Sequence, residues 1–271
     1  MIAATAEIHP TAIVEDGATI GEGCKIGPFS IIGPKVKLGS NITIRSHVVI
    51  DGNTSIGSGC SIFSHAILGT EPQNVHYKGE DTELIIGKNC QIRESVTMNT
   101  GMPDAGNKTV VGDNCLFLVN SHVGHDCRLG DNIILSNNVM LGGHVEVGNN
   151  VIMGGGAGVH QFVRVGHHAF IGGLCIAKND VIPFGMADGV PGELLGLNVI
   201  GLRRAGYAKQ QILDIRRFVK RVFEGEGTFK QRLAEIDPSQ LGEAEKDIFD
   251  YINTDSKRGL ITARLSHKSQ D

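Results

Sequence analysis

His122, His125, His144 and His160, with Asp126 directly after the second of them, are the residues of this chain best suited by type to do chemistry. An imidazole is largely neutral near pH 7 and can take a proton from an attacking hydroxyl, while a neighbouring carboxylate orients the ring and stabilises its protonated form. Six of the eleven histidines fall between residues 122 and 168, so the cluster is local. A second local excess lies at residues 203–221, where Arg203, Arg204, Lys209, Arg216, Arg217, Lys220 and Arg221 stand against a single acid, Asp214. That run is either the solvated face of a helix or a docking patch for an acidic protein or a phosphate. The six cysteines, Cys24, Cys60, Cys90, Cys115, Cys127 and Cys175, are a third candidate set.

What must position these residues is a six-residue repeat. From Ile8, steps of six land on Val14, Ile20, Ile26, Ile32, Leu38, Ile44, Ile50, Ile56, Ile62 and Leu68. The register restarts at Ile86, Ile92 and Met98, and again at Val111, from which it runs through Phe117, Val123, Leu129 and onward to Ile171. Residues two apart on a strand share a face, so each aliphatic and the small residue two before it point inward and the residue between them points out. So short a strand cannot bury its inner face alone, and consecutive hexads must wind into stacked coils, a parallel β-helix. Glycine often follows the aliphatic, as a tight turn with unusual dihedrals would want. All six cysteines take the inward small position and read as core filler, as does Ser121, which disfavours a covalent intermediate and favours direct transfer. None of His122, His125, His144 and His160 takes an inward slot, so all four are expected to face solvent or a partner.

Two interruptions, near residues 69–85 and 99–110, break the period and must leave the coil as excursions, where binding residues tend to collect. Past about residue 190 the period ends, and Ile212, Ile215, Val219 and Val222 recur at helical spacing. With amphipathic stretches at 228–236 and 243–252, divided by Pro238, three helices are expected. The chain thus reads as mainly β, a β-helix over 1–190 followed by a small α-helical domain over 191–271. A net charge of −4, from 25 basic and 29 acidic residues, gives no global field suited to nucleic acid. The first residues show neither a basic leader nor an apolar core, and no apolar stretch approaches the roughly 18 residues of a membrane span. A cytoplasmic protein without an integral membrane segment is expected.

The period resembles that of the hexapeptide-repeat family, and the resemblance implies three hexads, or eighteen residues, per turn of a left-handed triangular prism. On that count His125, Gly143 and Gln161 stand in one column and Asp126 and His144 in the next. Gly143 then places no side chain beside His125, and its backbone N–H could face a developing oxyanion. Asp126 is placed to orient the imidazole. The plain alternative is a set of polar residues on the surface of a repeat scaffold.

More specific are the run Asn120-Ser121-His122-Val123-Gly124-His125-Asp126-Cys127, the segment Ile92-Arg93-Glu94-Ser95-Val96-Thr97, and the groups Val159-His160-Gln161-Phe162 and Gly201-Leu202-Arg203-Arg204. Over nearly the whole chain these resemble the acyl-carrier-protein-dependent UDP-N-acetylglucosamine O-acyltransferases of lipid A synthesis. The resemblance implies a homotrimer with active sites between subunits, no bound cofactor, and a donor acyl group arriving on the phosphopantetheine of acyl carrier protein. It implies His125 as general base, Asp126 as its orienting acid and Gly143 as the oxyanion donor. Asn74, His76, His122, His144, His160, Gln161, Asn198 and Arg204 fall at substrate-lining positions, and Gly173 at the position bounding the acyl chain. Asn74 stands where relatives often carry Asp, His76 where they often carry Lys, and Pro191 where they carry His. The first two departures leave open a 3-amino sugar as acceptor, giving an amide in place of an ester.

Rival readings meet specific obstacles. Clustered imidazoles suit zinc, but the His-x4-His pair of the zinc-binding gamma-class carbonic anhydrases, which share the repeat, has no counterpart, so no metal is expected. The N-acyltransferase of the same pathway carries a nucleotide-binding domain before the repeats, whereas here they start at Ile8. An ice-binding repeat would show ranks of Thr on one face, and none occur.

Overall fold

The computed structural model describes residues 1–263. Its hexads form strands mostly two residues long, stacked into sheets of eleven, nine and eight strands. Successive strands join the three sheets in turn, and from the first coil the paired residues are eighteen apart, as Glu7 with Lys25 and Ile8 with Ile26. Every pairing is parallel except that of the last hairpin. The chain is therefore a three-sided parallel β-helix.

Burial explains why the period builds this shape. The aliphatic of each hexad is sealed inside, with Ile32, Ile50, Ile62, Ile92 and Phe117 all at 0 % exposure, each such side chain contributing roughly 1.5–3 kcal/mol. The six cysteines are free and buried, as expected of filler. The thiols of Cys24, Cys60 and Cys127 donate to the carbonyls of Gly39, Gly87 and Gly142, and burial pushes Cys127 up to about 12. Ser121 likewise lies inside the prism, and its Oγ has no partner among the described residues.

The glycines after the aliphatics serve a different purpose from the one expected. Left-handed backbone falls three residues past the aliphatic, at Asn120, Asp126, Asn132, Asn138 and His144 among others, residue types that tolerate it comparatively well. The glycine directly after the aliphatic is needed for close approach of coils: a Cβ on Gly21 would lie 2.5 Å from the carbonyl oxygen of Gly39.

Both excursions are shorter than the broken period suggested, because strands continue into their margins. Strands Ile67–Thr70 and Glu83–Ile86 confine the first to residues 71–82, and Thr97–Asn99 and Lys108–Val111 confine the second to 100–107. Across them the register steps by 30 residues, Ile56 to Ile86, and by 25, Ile86 to Val111, and then resumes.

The sheet also outlasts the period. Gly185–Asp188 and Glu193–Leu197 form an antiparallel hairpin on the eleven-stranded sheet, so the change to helix comes at Asn198, later than residue 190. Four α-helices follow among the described residues: α1 Val199–Arg204, α2 Lys209–Phe223, α3 Phe229–Ala234 and α4 Glu243–Asn253. Helix α1, one more than expected, is too short to show a period; the Asn198 side chain caps it by accepting from Gly201 N–H. Thr228 caps α3, and Pro238 opens a 3-10 turn before α4. Helix α2 buries Ile212, Ile215, Phe218, Val219 and Val222. The tail then returns to the prism, where Ile261 N–H donates to Asp180 O. Residues 264–271 of the expected helical domain lie outside the described residues. No helix among the described residues is long and apolar enough to cross a membrane.

Candidate active site

The strand His122–Val123 on the nine-stranded sheet sends Val123 inward and leads into a corner built by His125 and Asp126. His125 Nδ1–H donates to Asp126 Oδ2 at 2.7 Å. A carboxylate only accepts, so in the neutral ring the proton is on Nδ1 and Nε2 keeps a free lone pair. The second excursion holds the carboxylate from above, Met102 N–H donating to Asp126 Oδ1 at 2.9 Å, and the strand that follows it anchors the backbone, Asp126 N–H donating to Thr109 Oγ1 at 2.8 Å. This roof qualifies, for His125 alone, the expectation that the four histidines face solvent or a partner: that ring lines a cleft but is covered. His125 and Asp126 are only 6 % and 4 % exposed, while His160 is exposed and His122 and His144 are half-buried.

The eighteen-residue columns hold. His144 and Phe162 repeat the left-handed corner of Asp126 in the next two coils. The His144 ring stands edge-on to His125 at 5.1 Å and stacks on Phe162 at 4.4 Å, with Nε2 3.7 Å from Asp126 Oδ2. Gly143 lies against the His125 ring, where a Cβ would fall 2.6 Å from Cε1 and 2.7 Å from Nε2. Its carbonyl accepts from Phe162 N–H, but its own N–H is not used by the coil-to-coil ladder among the described residues.

His122, His125, Gly143, His160 and Gln161 line one cleft of about 350 Å³, joined by Gln73, Asn99 and Met140. His122 Nδ1 and Thr97 Oγ1 are hydrogen bonded at 2.8 Å. A separate pocket of about 250 Å³ opens behind the corner onto Asp126 and His144, and His125 does not line it.

Burial holds His122 and His144 below the ordinary imidazole range; the nearby His125 adds to this for both, and Asp126 partly opposes it for His144. Both are therefore neutral at pH 7. On acidification the unfolded chain takes up these protons near its ordinary value of about 6.5, before the folded chain does, so this contribution to stability is lost as pH falls below about 6.5. Thermal unfolding followed from pH 7.5 to 5.5 should show a falling midpoint, with a shallower slope in His122→Gln.

The remaining sequence candidates do not gather here. Asn74 and His76 lie on the first excursion, where Asn74 Oδ1 accepts from His76 N–H in a local turn; their neighbour Gln73 reaches the cleft instead. Gly173 is exposed and does not line the cleft, and a Cβ there would meet nothing nearer than Gly155 O at 3.4 Å. Asn198 and Arg204 line a second, largely apolar cleft of about 690 Å³ with Ile134, Ile152 and Phe170 of the eleven-stranded sheet. The two clefts share no residue within one chain.

Several residues of the site escaped the sequence reading. Asn99, 3 % exposed, donates from Nδ2 to Glu71 O at 2.7 Å and so ties down the root of the first excursion. Lys257 sets its Nζ 4.3 Å from the centre of the Phe162 ring, and Arg258 Nε donates to Gln161 O at 2.7 Å. Phe162 alone had a usable signal, its eighteen-residue step from His144.

Comparison with known proteins supplies the family. A family model described as UDP N-acetylglucosamine O-acyltransferase, domain 2, matches residues 180–261, and one for the bacterial transferase hexapeptide matches residues 108–143. An acyl-carrier-protein-dependent UDP-N-acetylglucosamine O-acyltransferase of Rhizobium etli is 55 % identical over 269 residues, 98 % of each chain. The one from Agrobacterium fabrum is 50 % identical over 261 residues, 96 % of each. Among solved structures, the UDP-N-acetylglucosamine acyltransferase from Campylobacter jejuni superposes with a TM-score of 0.89 at 35 % identity, covering 95 % of this chain and 100 % of that one. The Arabidopsis enzyme gives 0.83 at 34 % identity, covering 94 % and 100 %. With that identity over nearly its full length, this chain belongs to the acyl-carrier-protein-dependent UDP-N-acetylglucosamine O-acyltransferases.

Proposed function

We propose that this enzyme transfers a 3-hydroxyacyl chain from acyl carrier protein to the 3-hydroxyl of UDP-N-acetylglucosamine, the first step of lipid A biosynthesis. The observation that carries the mechanism is the buried His125–Asp126 pair beside a residue without a side chain, Gly143, in one cleft. His125 Nε2 removes the proton of the sugar hydroxyl as that oxygen attacks the thioester carbonyl. The Gly143 N–H donates to the oxyanion of the tetrahedral intermediate. Collapse expels the phosphopantetheine thiolate, which takes the proton back from the imidazolium, so no covalent enzyme intermediate and no resident cofactor or metal is called for. The relatives are O-acyltransferases by name, and nothing about Asn74 or His76, which lie outside the cleft, favours an amine acceptor.

A homotrimer completes the site in this reading. Asn198 and Arg204, in the second cleft, would serve the His125 cleft of a neighbouring subunit. The outward row of the nine-stranded sheet supports such an interface: it runs Ile13, Ile31, Val49, Ile67 before reaching Thr97, His122 and Met140, and Ile13 is 56 % exposed. Gly173 leaves room beside such a boundary for a long acyl chain. The reading keeps the reaction in the cytoplasm.

Acyl carrier protein, an acidic partner, fits the basic face of α2. Arg216 and Lys220 are exposed and make no ion pair among the described residues, whereas Arg217 is tied to Asp214 and Arg221 to Glu235 O. Transfer of acyl groups from 3-hydroxyacyl carrier proteins to UDP-N-acetylglucosamine, followed by mass spectrometry, tests the reaction; absence of acylated nucleotide sugar refutes it. In the same assay Arg216→Glu/Lys220→Glu should raise KM for the carrier protein roughly tenfold at low salt. The effect should shrink as salt screens it, with KM for the sugar unchanged.

A further inference from the structure

His125, Asp126 and His144 do more than form a base and its support. Among the described residues they are the one place where three metal-ligating side chains converge, with all ligand atoms within 4.8 Å of one another. Zinc held by imidazole nitrogens and a carboxylate oxygen at about 2.0–2.1 Å in tetrahedral geometry needs ligand atoms roughly 3.3 Å apart. Asp126 Oδ2 is 2.7 Å from His125 Nδ1 and 3.7 Å from His144 Nε2, separations that bracket this value. The pocket behind the corner opens onto Asp126 and His144, with Glu146 and Asp255 at its wall to offset Arg128, Arg164 and Lys257. An ion can therefore reach the carboxylate without passing through the cleft that holds His125 and Gly143.

We propose that His125 Nδ1, Asp126 and His144 Nε2 form an inhibitory site for zinc, entered from the back pocket, that turns the general base off. The chemistry follows from the two nitrogens of one ring. A neutral imidazole carries a single N–H, which Asp126 holds on Nδ1 in the free enzyme. When zinc takes the Nδ1 lone pair, that proton must reside on Nε2. Nε2 is the atom that accepts the sugar proton, so the metal form presents a donor where a base is needed. No proton is gained or lost overall; the tautomer is switched. This inference rests on His125 acting through Nε2.

Two measurements on tag-free protein separate the site from its consequence. Titration with cobalt(II), whose visible absorption reports tetrahedral coordination, should show one ion per chain, displaced by zinc, and His144→Gln should weaken binding at least about tenfold while unfolding at a similar temperature. Equal binding by wild type and His144→Gln overturns the site. In the transfer assay zinc should lower kcat and leave KM for UDP-N-acetylglucosamine unchanged, with recovery on adding EDTA. Inhibition that competes with the sugar places the ion on the Nε2 side and overturns the proposal. Binding that depends on His144 without any inhibition overturns the proposal that the ion takes His125 Nδ1, and the His125→Ala assay tests the base independently.

Discussion

His125→Ala should lower kcat by about 10²- to 10⁴-fold, the range that a positioned general base supplies, with KM for UDP-N-acetylglucosamine changed severalfold at most. The size of the effect follows from what remains in the cleft. His122 also lines it, but its Nδ1 is bound to Thr97 and no carboxylate among the described residues bonds to its ring. His160 is exposed, and its Nδ1 is 3.4 Å from the Gln161 carbonyl. His144 lies in the next column and opens onto the back pocket. Only His125 combines a fixed tautomer, a buried carboxylate and a place beside Gly143. The fold should survive, because Asp126 still accepts from Met102 N–H and its own N–H still bonds Thr109. Steady-state kinetics with a matched unfolding curve checks this, and free imidazole should restore part of the lost rate by filling the vacated space. Full activity in His125→Ala would move the chemistry to another residue.

The repeat was legible because a hexad can bury its aliphatic in only one way. Once Ile32 or Phe117 points inward, the face of every neighbour is set, and the cysteines and Ser121 could be placed inside from spacing alone. The columns needed the resemblance as well, which supplied eighteen residues per turn; given that number, a coil of constant length stacks residues eighteen apart without regard to their type. Where constant length failed, so did the reading. The second excursion has no period, so nothing in the spacing revealed that Met102 would fold over Asp126 and bury it. The returning tail is equally aperiodic, and Lys257 and Arg258 reach Phe162 and Gln161 through contacts nearly a hundred residues distant in sequence. Asn198 shows a different limit. It is recognisable by resemblance as a substrate position, yet within one chain its side chain caps α1 and bonds His168 O at 2.9 Å, in a cleft apart from His125. No property of a single chain's sequence says which surface meets which across a subunit boundary.

Gly143→Ala should be nearly as damaging as loss of the base, with kcat down about 10²- to 10³-fold, though it adds only one methyl group. The backbone itself can accept alanine, since Gly143 is not among the residues with left-handed dihedrals. The conflict is with the base: the new Cβ would fall 2.6 Å from Cε1 and 3.0 Å from Nδ1 of His125, closer than carbon and nitrogen approach without bonding. The ring is the movable partner, and turning it away breaks the 2.7 Å bond to Asp126 that fixes its tautomer. A displacement on the order of 1 Å costs about 10²-fold, and loss of an oxyanion donor costs about 10²- to 10³-fold. Because one methyl group disturbs both, the two losses are not independent and should not multiply. The double variant His125→Ala/Gly143→Ala is the decisive comparison. If Gly143 acts only by leaving room for the ring, adding Gly143→Ala to His125→Ala changes nothing further, since the clash has gone with the ring. If its N–H also stabilises the oxyanion and the methyl group shifts that N–H, a further fall of about tenfold or more remains, and its size measures the donor's share of catalysis.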